Sequence, residues 1–106
     1  MSEYITALVT ASNEDEAAAI AKAIVGERLA ACANIIRNVR SIYRWEGEVQ
    51  DDPEVLMVIK TRMELFGRLE ARVRELHSYE VPEIIALNIE TGSEPYLRWL
   101  GENAKQ

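Results

Sequence analysis

The segment Val39-Arg40-Ser41-Ile42-Tyr43-Arg44-Trp45-Glu46-Gly47 predicts the end of one β-strand and a tight turn. Side chains alternate between the two faces of a strand, and one face here carries Val39, Ser41, Tyr43 and Trp45. Glu46-Gly47 predicts a hairpin turn, because glycine readily adopts the positive φ angle that such turns need. A third strand over Glu48–Thr61 then returns along the second, with an expected interruption at Asp51-Asp52-Pro53. Because proline donates no ladder hydrogen bond, we expect this point to be a sheet edge or a bulge.

The half of the chain before this hairpin predicts a strand, a helix and the start of the second strand. Tyr4–Val9 is the first strand, and Ser12 or Asn13 can cap the helix that follows. The apolar residues of that helix recur with helical spacing at Ala17, Ile20, Ala21, Ile24 and Val25. Ala31–Ile36 begins the second strand, with a break expected at Arg37-Asn38.

The half after the hairpin repeats the pattern of helix and strand. Thr61-Arg62-Met63-Glu64 fits a capping box, and an apolar stripe follows at Leu65, Leu69, Val73 and Leu76. Pro82–Glu90 predicts the fourth strand, and Ser93-Glu94-Pro95 predicts the start of a short C-terminal helix. The fold class predicted by this order is α+β, a ferredoxin-like split βαβ arrangement with an antiparallel sheet and a long hairpin between the second and third strands.

Composition limits the classes of function. The chain has 106 residues and is expected to form a single domain over residues 1–106. Its net charge of −6 gives no general attraction to nucleic acid or anionic membranes, so neither is an expected partner. One Cys and one His exclude an internal disulfide, a Cys-rich zinc module and a two-His metal site within one chain. Met1–Thr10 lacks a basic region followed by an apolar stretch, so the expected location is the cytoplasm.

The predicted strands are apolar on both faces, although the two crossover helices cover only one face. In the third strand Val55, Met57 and Ile59 point one way, while Leu56 and Val58 point the other. Large apolar patches are uncommon on monomers, so we expect another subunit to cover the free face. The alternative is a monomer whose tail and loops close over it. The predicted subunit contact consists of Tyr43, Trp45, Val55, Met57 and Ile59.

The sequence offers few side chains that could act in catalysis or bind a metal. Cys32 and His77 form the only possible nucleophile–base pair, but Cys32 lies among small apolar residues that favour a buried structural role. We therefore expect a protein without enzymatic activity. His77 ends a predicted helix, where it can bond the last carbonyl groups; alternatively it binds a metal with Glu80 and Glu83. Asp51-Asp52 and Glu54 are interpreted as a solvated acidic turn.

Five further motifs are distributed along the chain: LAACANI at 29–35, SIYRWEG at 41–47, IKT at 59–61, HSYEVPEI at 77–84 and YLRWL at 96–100. Together they resemble the divalent-cation tolerance protein family, CutA, over nearly the whole chain. The resemblance implies a ferredoxin-like subunit in a homotrimer, similar in architecture to the PII signalling proteins. It also implies a link to the tolerance of copper and other divalent cations.

The resemblance also implies a copper site made by a first-strand Cys and two adjacent His. The matching positions read Val9, Leu76 and His77, so one of three ligands is present. Ser78 stands where the family usually has proline. The implied function is metal-ion tolerance without a required cofactor, with weak or conditional binding of copper or another divalent cation. The alternative is a trimer that senses a small effector in a cleft between subunits, as PII-like proteins do.

Overall fold

Four strands form one antiparallel sheet in the order β2-β3-β1-β4 in the computed structural model, which describes residues 3–106. The elements are β1 (Tyr4–Ala11), α1 (Glu14–Gly26), β2 (Cys32–Trp45), β3 (Glu48–Arg62), a 3₁₀ turn (Met63–Leu65), α2 (Phe66–Leu76), β4 (Ile84–Asn88) and α3 (Glu94–Asn103). This order and this pairing confirm the predicted ferredoxin-like α+β fold, including the long hairpin and the short C-terminal helix.

The β2–β3 hairpin extends well past the rest of the sheet. The pairing of β3 with β1 ends at Val55 opposite Ala11, whereas its pairing with β2 continues to Glu48 opposite Trp45. The turn has φ angles of 51° at Glu46 and 81° at Gly47, the two positive values of a tight hairpin turn. The turn predicted from Glu46-Gly47 is therefore confirmed.

One of the two predicted irregularities of the hairpin is present. The break expected at Arg37-Asn38 is a register shift between Ile36 and Val39, with Asn38 at a φ of 62°. The interruption expected at Asp51-Asp52-Pro53 is absent, because β3 is continuous there and Pro53 pairs with Arg40, but of the two expected settings for Pro53, an edge or a bulge, the edge is confirmed. Pro53 lies beyond the end of β1, where β3 has a neighbouring strand on one side only, so a missing N–H is tolerated.

Helices α1 and α2 pack on one face of the sheet and bury its apolar side chains. Val55, Met57 and Ile59 are only 7%, 0% and 0% exposed, because they belong to the core shared with these helices. The prediction that these three residues contact another subunit is therefore wrong. The alternate residues of β3, Leu56 and Val58, point to the opposite face and are half-buried.

The stripes of buried apolar residues on α1 and α2 are narrower than predicted. Ala17, Ile20, Ala21 and Ile24 are buried as expected, but Val25 at the end of α1 is exposed. In α2 Leu69 and Val73 are buried, whereas Leu76 at its last position is exposed. Each exposed residue lies in the last turn of its helix.

Thr61 has a different role from the predicted one. It lies in β3, is fully buried, and donates from Oγ1 to the carbonyl of Leu29 at 2.7 Å. Neither the 3₁₀ turn nor α2 has a side-chain cap at its start, so the predicted capping box is wrong. The hydroxyl instead ties β3 to the segment that enters β2.

Glu16 connects α1 to the segment that leads into β4. Asn13 caps α1 as expected, by accepting from the N–H of Glu16 at 2.8 Å. The Glu16 carboxylate accepts from both the N–H and the hydroxyl of Ser12, and its second oxygen accepts from the N–H of Ser78 at 2.7 Å. Burial alone would raise the pKa of Glu16, but the hydrogen bonds from Ser78 and Ser12 lower it from 4.5 to about 2.

Helix α3 covers one end of the sheet face opposite α1 and α2. Ser93 caps its start, and Leu100 and Ala104 pack with Leu65 in a small second core. The Arg62 guanidinium donates to the carbonyls of Gly101 and Ala104, and this contact anchors the end of α3 to β3. Within residues 3–106, no helix combines the length and the apolar composition needed to cross a membrane.

Replacing Thr61 by Val is expected to lower the free energy of unfolding by about 1–3 kcal/mol, because the buried carbonyl of Leu29 loses its hydroxyl donor. Urea unfolding at a fixed protein concentration measures the change. The same substitution at exposed Thr91 is the control and should change stability by no more than about 0.5 kcal/mol. Equal effects at the two sites would contradict this role of the buried hydroxyl.

The pKa of Glu16 predicts where acid weakens the fold. Because its folded pKa of about 2 lies below the ordinary value of 4.5, its stabilisation is complete above about pH 4.5 and is lost as the pH falls towards 2. Glu16→Gln should be less stable than wild type at pH 7 and should lose less stability between pH 4.5 and 2. Unfolding midpoints across this range, with exposed Glu90→Gln as control, measure the difference. An identical acid dependence in wild type and Glu16→Gln would refute it.

Candidate functional site

The sheet face opposite α1 and α2 carries a continuous apolar surface. We call it the open sheet face, and its apolar side chains are Leu8, Ile36, Leu56, Val58, Ile85 and Leu87. Leu8 lies between Val58 on one neighbouring strand and Ile85 on the other, so the side chains form rows across the strands. Ile36, Ile85 and Leu87 are 47%, 49% and 57% exposed, which is unusual for aliphatic residues that share one sheet face.

A groove of about 550 Å³ lies between the projecting hairpin and the segment that leads into β4. We call it the hairpin groove. Its aromatic lining comes from Tyr43, Trp45 and Tyr79, its acidic lining from Glu54, Glu80 and Glu83, and the remainder from Thr10, Ser41, Ile42 and Val81. The extra length of the hairpin beyond β1 creates this groove, since a shorter hairpin would place no side chains opposite residues 79–83.

His77 is a buried structural residue. Its Nδ1 accepts from the backbone N–H of Tyr79 at 3.0 Å, so the neutral ring carries its proton on Nε2, which donates to the carbonyl of Thr10 at 2.7 Å. The Glu16 carboxylate lies 3.8 Å from Nδ1. Both ring nitrogens are engaged, so a metal ion could bind His77 only after one of these hydrogen bonds is broken.

The structure separates the three residues predicted as a metal site. Glu80 and Glu83 are exposed and line the hairpin groove, whereas the buried His77 is absent from its lining. Across residues 3–106 there is no group of three or more His, Cys, Asp and Glu side chains able to hold a metal ion. The prediction of one site containing His77, Glu80 and Glu83 is therefore corrected: His77 leaves it, and the two carboxylates stay at the groove.

Glu54 and Tyr79 form a pair that the sequence did not indicate. The Tyr79 hydroxyl donates to Oε2 of Glu54 at 2.6 Å, and Glu54 is only 8% exposed, so its interpretation as part of a solvated turn is wrong. Burial and the adjacent Glu54 carboxylate raise the pKa of Tyr79. The available signal was the alternation of β3, which places Glu54 on the same face as Leu56.

A second tyrosine follows the same pattern on the hairpin itself. The Tyr43 hydroxyl donates to Oδ2 of Asp52 at 2.7 Å, which raises the pKa of Tyr43. Both phenol groups are therefore protonated donors to carboxylates. The groove thus presents aromatic rings and carboxylate oxygens to any ligand.

Cys32 differs from its expected apolar setting. It is half-buried at the start of β2, and its thiol donates to the amide oxygen of Asn34 at 3.6 Å. The same oxygen accepts from the ammonium of Lys60, so polar groups lie close to the sulfur. His77 uses both ring nitrogens elsewhere and supplies no base to this thiol.

Comparison with known proteins agrees with the motifs. Residues 5–103 match the family model described as CutA1 divalent ion tolerance protein. The divalent-cation tolerance protein CutA of Thermus thermophilus is 53% identical over 96 residues, which cover 91% of this chain and 93% of that protein. Human protein CutA is 51% identical over 94 residues, 89% of this chain, but the chain spans only 52% of that longer protein.

Solved structures give the same result. The structure of the divalent cation tolerance protein from Thermus thermophilus superposes with a TM-score of 0.94 at 50% identity, covering 96% of this chain and 99% of that one. CutA from Xylella fastidiosa superposes with a TM-score of 0.95 at 31% identity, covering 98% and 100% of the two chains. Family model, sequence identity and backbone agree over the same residues, and the chain therefore belongs to the CutA1 family of divalent ion tolerance proteins.

Proposed function

We propose that this protein acts in divalent metal-ion tolerance as a non-enzymatic homotrimer in the cytoplasm. Membership of the CutA1 family supports the role in metal-ion tolerance, and the open sheet face is the observation that carries the assembly. An aliphatic surface of this kind is unfavourable in water, because each exposed apolar side chain forgoes about 1.5–3 kcal/mol of burial. Association of identical subunits through this face would recover that free energy.

The position of α3 supports association over closure by the chain itself. Its buried residues, Leu100 and Ala104, pack at one end of the sheet, while Ile85 and Leu87 stay exposed. Residues 3–106 therefore supply no cover for the remaining part of this face. Threefold symmetry is proposed from the resemblance to the family, and an obligate interface of this kind buries more than about 2,000 Å².

The hairpin tip is a second proposed contact. Tyr43 and Trp45 are both nearly half exposed and lie on the part of the hairpin that no other strand of the sheet covers. Their role at a subunit contact stays a prediction. Large amphipathic rings are common at the centres of protein interfaces, which supports it.

Cation binding is proposed to be weak and to involve carboxylates. Glu80 and Glu83 are exposed oxygen donors at one groove, and oxygen ligands suit hard divalent cations better than copper. Two carboxylates leave the coordination shell incomplete, so tighter binding would require ligands from a neighbouring subunit. Because His77 is engaged on both ring nitrogens, copper has no free imidazole in this chain.

The surroundings of the one thiol and the one imidazole support a non-enzymatic role. The thiol of Cys32 bonds an amide oxygen, and the imidazole of His77 bonds two backbone groups. Nucleophilic catalysis needs a base within hydrogen-bond reach of the nucleophile, and His77 is committed to other partners. Divalent-ion tolerance through assembly and cation contact requires neither group to react.

We predict a mass of about 36 kDa in solution at micromolar concentration, three times the chain mass of 12.0 kDa. Light scattering measures it. Leu87→Glu should shift the mass towards one chain, because it places a charge in the proposed interface. Val25→Glu puts the same charge on an exposed position of α1, away from the open sheet face, and should keep the trimer. A single-chain mass for the wild type would refute the assembly.

Metal titration tests the proposed cation contacts. Calorimetry with Mn²⁺, Zn²⁺ and Cu²⁺ should give weak binding that the double variant Glu80→Gln/Glu83→Gln reduces further, because it removes both exposed carboxylates. His77→Gln should leave the affinity unchanged wherever the variant remains folded, as judged by its melting temperature. Loss of Cu²⁺ binding in folded His77→Gln would show that His77 is a copper ligand. It would contradict the assignment of cation binding to Glu80 and Glu83 alone.

A further inference from the structure

The hydrogen bonds of the His77 ring depend on its charge. Histidine is the side chain that ordinarily changes charge between about pH 5 and 8, and His77 is the only histidine in the sequence. Its side chain is 0% exposed within a single chain, so its contacts are made inside one subunit. Nδ1 accepts from the N–H of Tyr79 at 3.0 Å, and Nε2 donates to the carbonyl of Thr10 at 2.7 Å. Only the neutral ring can accept at Nδ1, because an imidazolium carries a proton on both nitrogens.

A carboxylate from α1 faces the same ring nitrogen. Oε2 of Glu16 lies 3.8 Å from Nδ1 of His77 and accepts from the N–H of Ser78 at 2.7 Å. Burial raises the pKa of Glu16, but the hydrogen bonds from Ser78 and Ser12 outweigh this effect and lower the pKa to about 2, so the carboxylate is charged whenever histidine titrates. A proton on Nδ1 would therefore point towards a negative charge, which favours the imidazolium.

The other groups around the ring are uncharged or anionic. The ring of Tyr79 lies 4.6 Å from the His77 ring between centroids, and its hydroxyl donates to Glu54 of β3. Burial and the Glu54 carboxylate raise the pKa of Tyr79, so the phenol stays neutral when histidine titrates. Strand β1 contributes the carbonyl of Thr10, which does not titrate. The charges that face His77 from the packed elements are thus Glu16 directly and Glu54 behind Tyr79.

We infer that His77 is a pH-sensitive latch for residues 78–83, the segment that leads into β4. The neutral ring holds the N–H of Tyr79. Protonation ends that bond and turns Nδ1 towards Oε2 of Glu16, where it competes with the N–H of Ser78. One proton therefore weakens both backbone bonds at the start of a segment that belongs to no helix or strand. The inference rests neither on metal-ion tolerance nor on trimer formation.

Nitrogen NMR of the assembled, ¹⁵N-labelled protein tests the latch, because a single histidine gives one set of imidazole signals. A titration from pH 8 to pH 5 follows the protonation of His77, and amide hydrogen exchange gives protection factors in the same samples. We expect the Nε2–H tautomer at pH 8, an imidazolium at pH 5, and a loss of protection at Tyr79 of about fivefold or more with the same midpoint. The amide of Ile59, in the central strand β3, should keep its protection.

Three variants separate the charge on the ring from the charge that attracts it. Glu16→Gln keeps an acceptor for Ser78 and removes the negative charge, so the midpoint of the His77 titration should move to lower pH by about one unit. Exposed Glu90→Gln removes the same charge elsewhere and should leave the midpoint unchanged. His77→Gln does not titrate and should abolish the pH dependence of protection at Tyr79. If His77→Gln fails to fold, the titrations of wild type and Glu16→Gln still decide the result.

Several results would overturn the latch. A ring that stays neutral down to pH 5 in the folded protein would show that the buried bonds prevent titration. An imidazolium that leaves protection at Tyr79 unchanged would show that the segment is held by other contacts. Equal midpoints in wild type and Glu16→Gln would remove Glu16 as the partner of the charged ring, and loss of protection at Ile59 together with Tyr79 would indicate general unfolding. No measurement here uses a metal ion or the mass of the assembly, so the proposed function is tested separately.

Discussion

The antiparallel pairing of β3 with both β1 and β2 is the constraint on which the rest of the structure depends. Along Val55–Arg62 the strand pairs with β1, and along Glu48–Glu54 it has only β2 as a neighbour. The first part therefore becomes the centre of a sheet that two helices can cover. The second part projects as a hairpin, and its side chains are free to form a groove with the segment before β4.

That segment is held by hydrogen bonds to side chains of other elements rather than by regular secondary structure. Ser78 donates its N–H to Glu16, Tyr79 donates its N–H to His77, and the Tyr79 hydroxyl donates to Glu54. These bonds connect α1, the end of α2 and β3 at one place. Because irregular backbone has few other partners, they determine where Glu80 and Glu83 lie and therefore the shape of the groove.

His77 shows why a residue type alone is weak evidence for a metal site. A single histidine beside two glutamates fits the ligand chemistry of divalent cations, yet its ring lies where both nitrogens meet backbone groups. Hydrogen bonds to buried backbone groups are costly to break, so the imidazole serves the fold first. The carboxylates that remain accessible are oxygen donors, which suit hard cations better than copper.

Local patterns in the sequence determined most of the architecture. The turn at Glu46-Gly47, the helix start at Asn13 and the start of α3 at Ser93 each depend on neighbouring residues only, and each was predictable. Alternation also showed that β3 is apolar on both faces. Which face the helices take was decided only by tertiary packing, so Val55, Met57 and Ile59 were assigned to the wrong side. The partners of Thr61, His77 and Glu54 were likewise decided by tertiary structure, because they lie 32, 67 and 25 residues away along the chain.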